Sequence, residues 1–226
     1  MQELYTQSGV KLASHDVSKL MRNTYLMLAM TLMTSALAAG VAIVLHVSYM
    51  MALVADIAAL VLLWFVLPRT ANSAKGVGVV FAFTALLGFG LGPMLSHYLA
   101  MDNGPLMVMQ ALGGTALVFF ALSGYVLTTG KDFSFMGGFL FTGLIVAIVA
   151  MLAMFVLSWF GVEVSGFSLA LSALMVLLMS GFILFDTSRI INGGETNYLY
   201  ATTALYLDIV ILFQHLLHLI GAFSDD

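Results

Sequence analysis

The chain has 226 residues, of which 62% are hydrophobic and only 8% charged, with a formal net charge of −4 at pH 7. Soluble domains carry roughly 25% charged residues, so this composition belongs to an integral membrane protein with almost no extramembrane domain. No basic stripe for nucleic acid is present, and the lack of cysteine excludes disulfides, thiolate metal sites and cysteine nucleophiles.

A spanning helix needs about 20 mostly apolar residues. Seven such stretches are predicted, at 24–46, 49–67, 77–98, 106–128, 136–160, 167–190 and 200–222. They form one all-α transmembrane domain, 24–222, between a polar N-terminal tail, 1–23, and a short C-terminal tail, 223–226. Connections are short, and Asn103-Gly104-Pro105 and Asn192-Gly193-Gly194 are the clearest turn signals. Lys19 and Arg22 followed by an apolar run and Ala36-Leu37-Ala38 also fit a cleaved signal peptide. The leader is long for that, and the run continues to about Val47, so a first span is preferred.

Every Lys and Arg falls on one side of this layout. Lys11, Lys19 and Arg22 precede the first stretch, Arg69 and Lys75 join the second to the third, Lys131 follows the fourth, and Arg189 ends the sixth. The other side carries Asp102, Glu163, Asp225 and Asp226. The positive-inside rule therefore predicts a cytoplasmic N-terminus, and seven helices put the C-terminus outside.

A carboxylate at membrane depth is costly and is usually kept for a pathway, a proton relay or a structural pairing. Asp186 and Asp208 lie in the last two stretches, roughly 5 Å and 12 Å from their cytoplasmic ends at 1.5 Å per residue. Two carboxylates close together in a low dielectric cannot both ionise cheaply, so such a pair shares a proton and acts as a proton sensor. Ionised, it is a hard-oxygen site for Ca²⁺ in competition with protons. The bland alternative is that each aspartate bonds a neighbouring helix. Arg189, three residues after Asp186, either neutralises it and holds a gate shut or snorkels to the headgroups.

Asp56 and His215 are auxiliary candidates. Asp208 and His215 are seven apart, on one helical stripe, so a polar track from Asp208 past His215, with Asp56 as partner, would suit an ion route. His218, His46 and His97 read as interfacial residues, and their scatter argues against zinc. Gly88-Phe89-Gly90-Leu91-Gly92-Pro93 reads as a close helix contact, as do Gly113-Gly114 and Gly137-Gly138. The methionines read as core filler. No zinc helix, nucleophile elbow or phosphate loop occurs, and no lysine inside a helix offers a Schiff base. Intramembrane aspartyl proteases also place one Asp in each of two late helices, but their Gly-x-Gly-Asp and Pro-Ala-Leu motifs are absent. The chain is not read as an enzyme.

The segments Gly181-Phe182-Ile183-Leu184-Phe185-Asp186-Thr187, Gly193-Gly194-Glu195-Thr196-Asn197-Tyr198 and Ala204-Leu205-Tyr206-Leu207-Asp208-Ile209 resemble the Bax inhibitor family, above all its YccA-type bacterial branch. Arg22-Asn23-Thr24-Tyr25 and the run from Ala111 to Phe120 match as well, and the resemblance spans essentially the whole chain. It implies a multi-pass protein of the bacterial inner membrane, a seven-helix bundle with its last helix central and wrapped by the other six. It also implies a pH-sensitive calcium leak in which Asp186 and Asp208 form the proton-sharing pair, with Ca²⁺ as the transported or bound ion and no other cofactor. Members with an arginine late in the last helix differ from this chain, which has His218 there, so no basic latch carries over. YccA-type members are substrates and inhibitors of the membrane protease FtsH, which makes that protease the implied partner besides the bilayer and gives the polar tail a role.

Overall fold

The computed structural model describes residues 14–224, and every regular element among them is helical. Seven helical segments are long and apolar enough to cross a membrane. In chain order, the first to seventh spans are Asp16–Val44, Tyr49–Thr70, Ala74–Leu99, Gly104–Thr129, Ser134–Trp159, Ser165–Ile191 and Tyr198–Ser224. Helix is what such a sequence must form in hydrocarbon, where each backbone N–H has to be satisfied within its own segment. Large apolar side chains accordingly face outward, among them Leu37, Phe139 and Trp159.

The predicted boundaries hold to within one helical turn at all but one end. The first helix starts at Ser14, so residues 14–23, expected in the tail, are helical, and Leu20 is already buried. Residues 1–13, including Lys11, and Asp225 and Asp226 lie outside the described residues. Ala36–Ala38, the alternative cleavage signal, sit in the middle of the first span.

Half of the seventh span's most apolar window is buried, against 11% for the fifth. The seventh is therefore the core helix. It packs mainly on the first, third, fourth and sixth spans, while the second and fifth lean from outside on the third and sixth. The central helix thus has four close neighbours rather than the six the resemblance implied.

Two prolines shape the periphery. Pro68 lies in the last turn of the second span, after a π-helical turn at Leu62–Val66, a common way to absorb a missing backbone donor. Pro93 begins Gly92–Leu99, which meets Ala74–Gly90 at Leu91. The glycines around it are close contacts. A side chain on Gly88 would strike the Ser35 backbone of the first span, one on Gly90 the Asp56 carboxylate of the second, and one on Gly92 the Ala42 methyl. Gly137 abuts Phe185 in the same way. Gly113 and Gly138 do not, since both face open space, so those two were misread as close-packing positions.

Candidate functional site

Asp186 and Asp208 converge. They project from the sixth and seventh spans, which pack extensively on one another, and their carboxyl groups lie within hydrogen-bonding reach of one another. Both are buried, at 8% and 5% exposure. The sixth span is largely buried here, at Gly181, Phe182, Ile183, Phe185, Asp186, Thr187 and Ser188, with Leu184 half-buried between them. Asp208 Oδ2 receives no hydrogen bond among the described residues, a costly state for a buried acceptor that a proton held between the two acids would relieve.

Arg189 turns inward rather than only towards the headgroups. Its Nη1 lies 3.5 Å from Asp186 Oδ1, and its Nη2 lies 3.6 Å from Glu195 Oε2 and 3.4 Å from the Gly194 carbonyl. The guanidinium also sits 5.5 Å from the Phe185 ring centroid. It therefore spans from the buried pair to the connection between the sixth and seventh spans. Glu195 is held in turn, because its Oε1 accepts from the backbone N–H groups of Thr196 and Asn197 at 2.9 and 2.8 Å. Asn197 caps the seventh span by accepting from Leu199 N at 2.8 Å, and its amide donates to Ala71 O at 3.0 Å across to the second–third connection. The quoted Gly-Gly-Glu-Thr-Asn segment is thus the frame of the arginine. The sequence alone assigns Glu195 no role, because its arginine partner lies on another element.

The auxiliary residues go elsewhere. His215 Nδ1 and His218 Nδ1 both approach Ser172 Oγ on the sixth span, at 3.1 and 2.8 Å. Between this cluster and the carboxylates, the two spans offer buried Met175, Met179, Ile183 and Leu212. The expected polar track is therefore interrupted by apolar packing. Asp56 does not join it either: its carboxylate rests against Gly90, and it faces Tyr206 only at electrostatic range. The Tyr206 hydroxyl is itself engaged, with Ser35 at 2.7 Å and the Thr84 carbonyl at 3.2 Å. His97 stacks edge-on with Tyr98, and His46 takes a positive φ of 49° in the turn after the first span.

No group of three or more His, Asp or Glu suited to a metal occurs among the described residues. Two carboxylates supply at most four oxygens, fewer than the six to eight Ca²⁺ takes, so a cation here would keep much of its water.

The chain matches the family model described as inhibitor of apoptosis-promoting Bax1 over residues 17–225. The chain belongs to the Bax inhibitor family. Among its relatives, an uncharacterized membrane protein of Vibrio cholerae is 46% identical over 99% of this chain and 98% of its own. The modulator of FtsH protease YccA of Escherichia coli is 43% identical over 95% of this chain and 97% of its own. A Pseudomonas aeruginosa protein is 42% identical over the full length of both. With its seven apolar spans, this Bax inhibitor family member is a multi-pass protein of the inner membrane.

Two further clusters beside the acids went unread. Thr187 Oγ1 lies 3.2 Å from Ser123 Oγ of the fourth span, which also bonds the Tyr25 hydroxyl of the first. Ser188 Oγ accepts from Phe133 N at 2.8 Å and donates to Asp132 Oδ1 at 3.3 Å, docking the fourth–fifth connection beside the pair. Serine and threonine are common in membrane helices, so one sequence marks no partner for them. The phrase Asp-Thr-Ser-Arg at 186–189 was the only local signal.

Proposed function

We propose that this protein is a pH-sensitive cation leak, permeable to calcium, in which Asp186 and Asp208 form a proton-sharing gate and Arg189 latches it from the basic end. The observation that carries this reading is the meeting of two buried carboxyl groups from neighbouring spans, with Arg189 beside Asp186. Like charges this close in a low dielectric are held together by a shared proton. Loss of that proton sets the acids in repulsion and gives a passing cation two carboxylate ligands. The apolar layer of Met179, Ile183 and Leu212 closes the path beyond the pair, so conduction requires the sixth and seventh spans to shift. Calcium efflux from proteoliposomes tests this. Flux that responds to pH in the wild type and loses that response in Asp208→Asn supports it. No flux at any pH, or flux unchanged by the substitution, removes it.

A second reading is favoured by the E. coli relative, whose name makes it a modulator of the FtsH protease. In this reading the chain occupies that protease through its polar N-terminus. The test is deletion of residues 2–13, which precede the first helix at Ser14. Protease engagement is expected to fail in that deletion and survive Asp208→Asn, the reverse of the leak.

A further inference from the structure

The first and fourth spans both pack on the seventh but not closely on each other. Between them runs an apolar cavity of about 630 Å³, rimmed by Ala29, Ala36 and Gly40 on one side and Ala116 and Phe120 on the other. Its floor includes Ile209 and Phe213 of the seventh span. The rim residues are exposed, so the groove opens sideways towards the bilayer. Its polar side chains are spoken for: Ser35 bonds Tyr206, Thr115 donates to the Ala111 carbonyl, and Tyr25 bonds Ser123.

Size decides what kind of occupant fits. From Tyr25 to Ile43 the groove follows the first span for about 27 Å at 1.5 Å per residue, and at its basic end it is narrow enough for the Tyr25 hydroxyl of the first span to bond Ser123 of the fourth. A helix about 10 Å across needs roughly 80 Å². A hydrocarbon chain, whose carbons meet neighbours at about 4 Å, needs only about 20 Å².

Charge identifies the other end of the occupant. The groove face of the first span is Tyr25, Ala29, Leu32, Ala36, Gly40 and Ile43, and Arg22 lies one turn below Tyr25, with Lys19 one turn further towards the same end. Both basic residues are exposed, and among the described residues neither has an ion-pair or hydrogen-bond partner. A second apolar groove, of about 720 Å³ between the first three spans, is lined only by apolar residues from Ala38 to Phe89.

We infer that the groove between the first and fourth spans is a binding site for an anionic phospholipid, one acyl tail lying on Ile209 and Phe213 and the phosphate held by Lys19 and Arg22. Since the floor belongs to the helix that carries Asp208, tail occupancy bears on the core helix directly.

The test uses the full chain in phosphatidylcholine vesicles containing a minor share of phosphatidylglycerol, with either lipid spin-labelled on its tail. The wild type is expected to immobilise phosphatidylglycerol in preference to phosphatidylcholine. Lys19→Gln with Arg22→Gln lowers that preference, by about fivefold per cation, while Lys75→Gln, at the same end but off the groove, leaves it unchanged. Ala36→Phe with Ala116→Phe fills the groove and reduces the immobilised fraction of both lipids. Equal immobilisation of the two lipids by the wild type overturns the inference. So does a preference that survives the double charge substitution, or groove filling that lowers self-association of the chain instead of lipid immobilisation. The charge variants alter exposed side chains and decide the matter even if the filled groove prevents folding.

Discussion

At the scale of single residues, the proposed leak rests on one pair of acids and one arginine. If the pair shares a proton, infrared spectra of the carboxyl stretch will show two coupled titration steps in the wild type and a single step in Asp186→Asn. Two carboxyls that titrate independently near the ordinary carboxylate value would contradict the pairing. Arg189→Gln removes the link from Asp186 to Glu195 and is expected to raise calcium efflux at neutral pH, on the order of tenfold for a coupling of ordinary strength. Outside the spans, the Ser134 hydroxyl and backbone N–H, with the Ser188 hydroxyl, hold Asp132 below the usual carboxylate range. A depressed folded value contributes stability that is present above the unfolded value of about 4 and lost as pH falls through the folded one. Asp132→Asn should therefore flatten the acid limb of a thermal-stability profile and change little at neutral pH. The two aspartates were legible because intramembrane acids are rare. Glu195, Ser172 and Ser188 were not, because their partners lie on other elements and polar residues of these types carry no address in a single sequence.

At the scale of elements, hydropathy was sufficient for seven spans, since helix length is dictated by bilayer thickness and not by details of packing. It failed at the first helix, where Leu20 packs inward and carries the helix back to Ser14 beyond the apolar run. Glycine spacing predicted close approach equally for Gly88 and Gly113, yet only Gly88 meets a backbone. The distinction depends on which helix lies opposite, information a lone segment does not contain. Gly88→Ala is expected to destabilise the protein by about 1–3 kcal/mol through overpacking against Ser35, whereas Gly113→Ala should be neutral or gain up to about 1 kcal/mol. Thermal denaturation in detergent compares the two. Equal losses would mean that Gly113 has a neighbour in the membrane.

At the scale of the whole molecule, the one-sided distribution of basic residues predicted a single consistent stacking of spans, and the connectivity gathers Lys19, Arg22, Arg69, Lys75, Lys131 and Arg189 at one end. The central position of the seventh span came from the resemblance, and its four close neighbours came only from the packing. The polar track from Asp208 to His215 was a reading of one helix in isolation. In the bundle, Ser172 of the sixth span draws both histidines, and apolar side chains separate them from the acids. The proposed gate is consequently local to the basic end and is expected to work as one unit made of two acids. The most direct test is calcium efflux from proteoliposomes between about pH 5 and 8, measured for the wild type, Asp186→Asn, Asp208→Asn and the double substitution. A shared-proton gate predicts that each single substitution removes the pH response and that the second adds nothing to the first. Additive effects, or a pH response that persists in the double substitution, would contradict it.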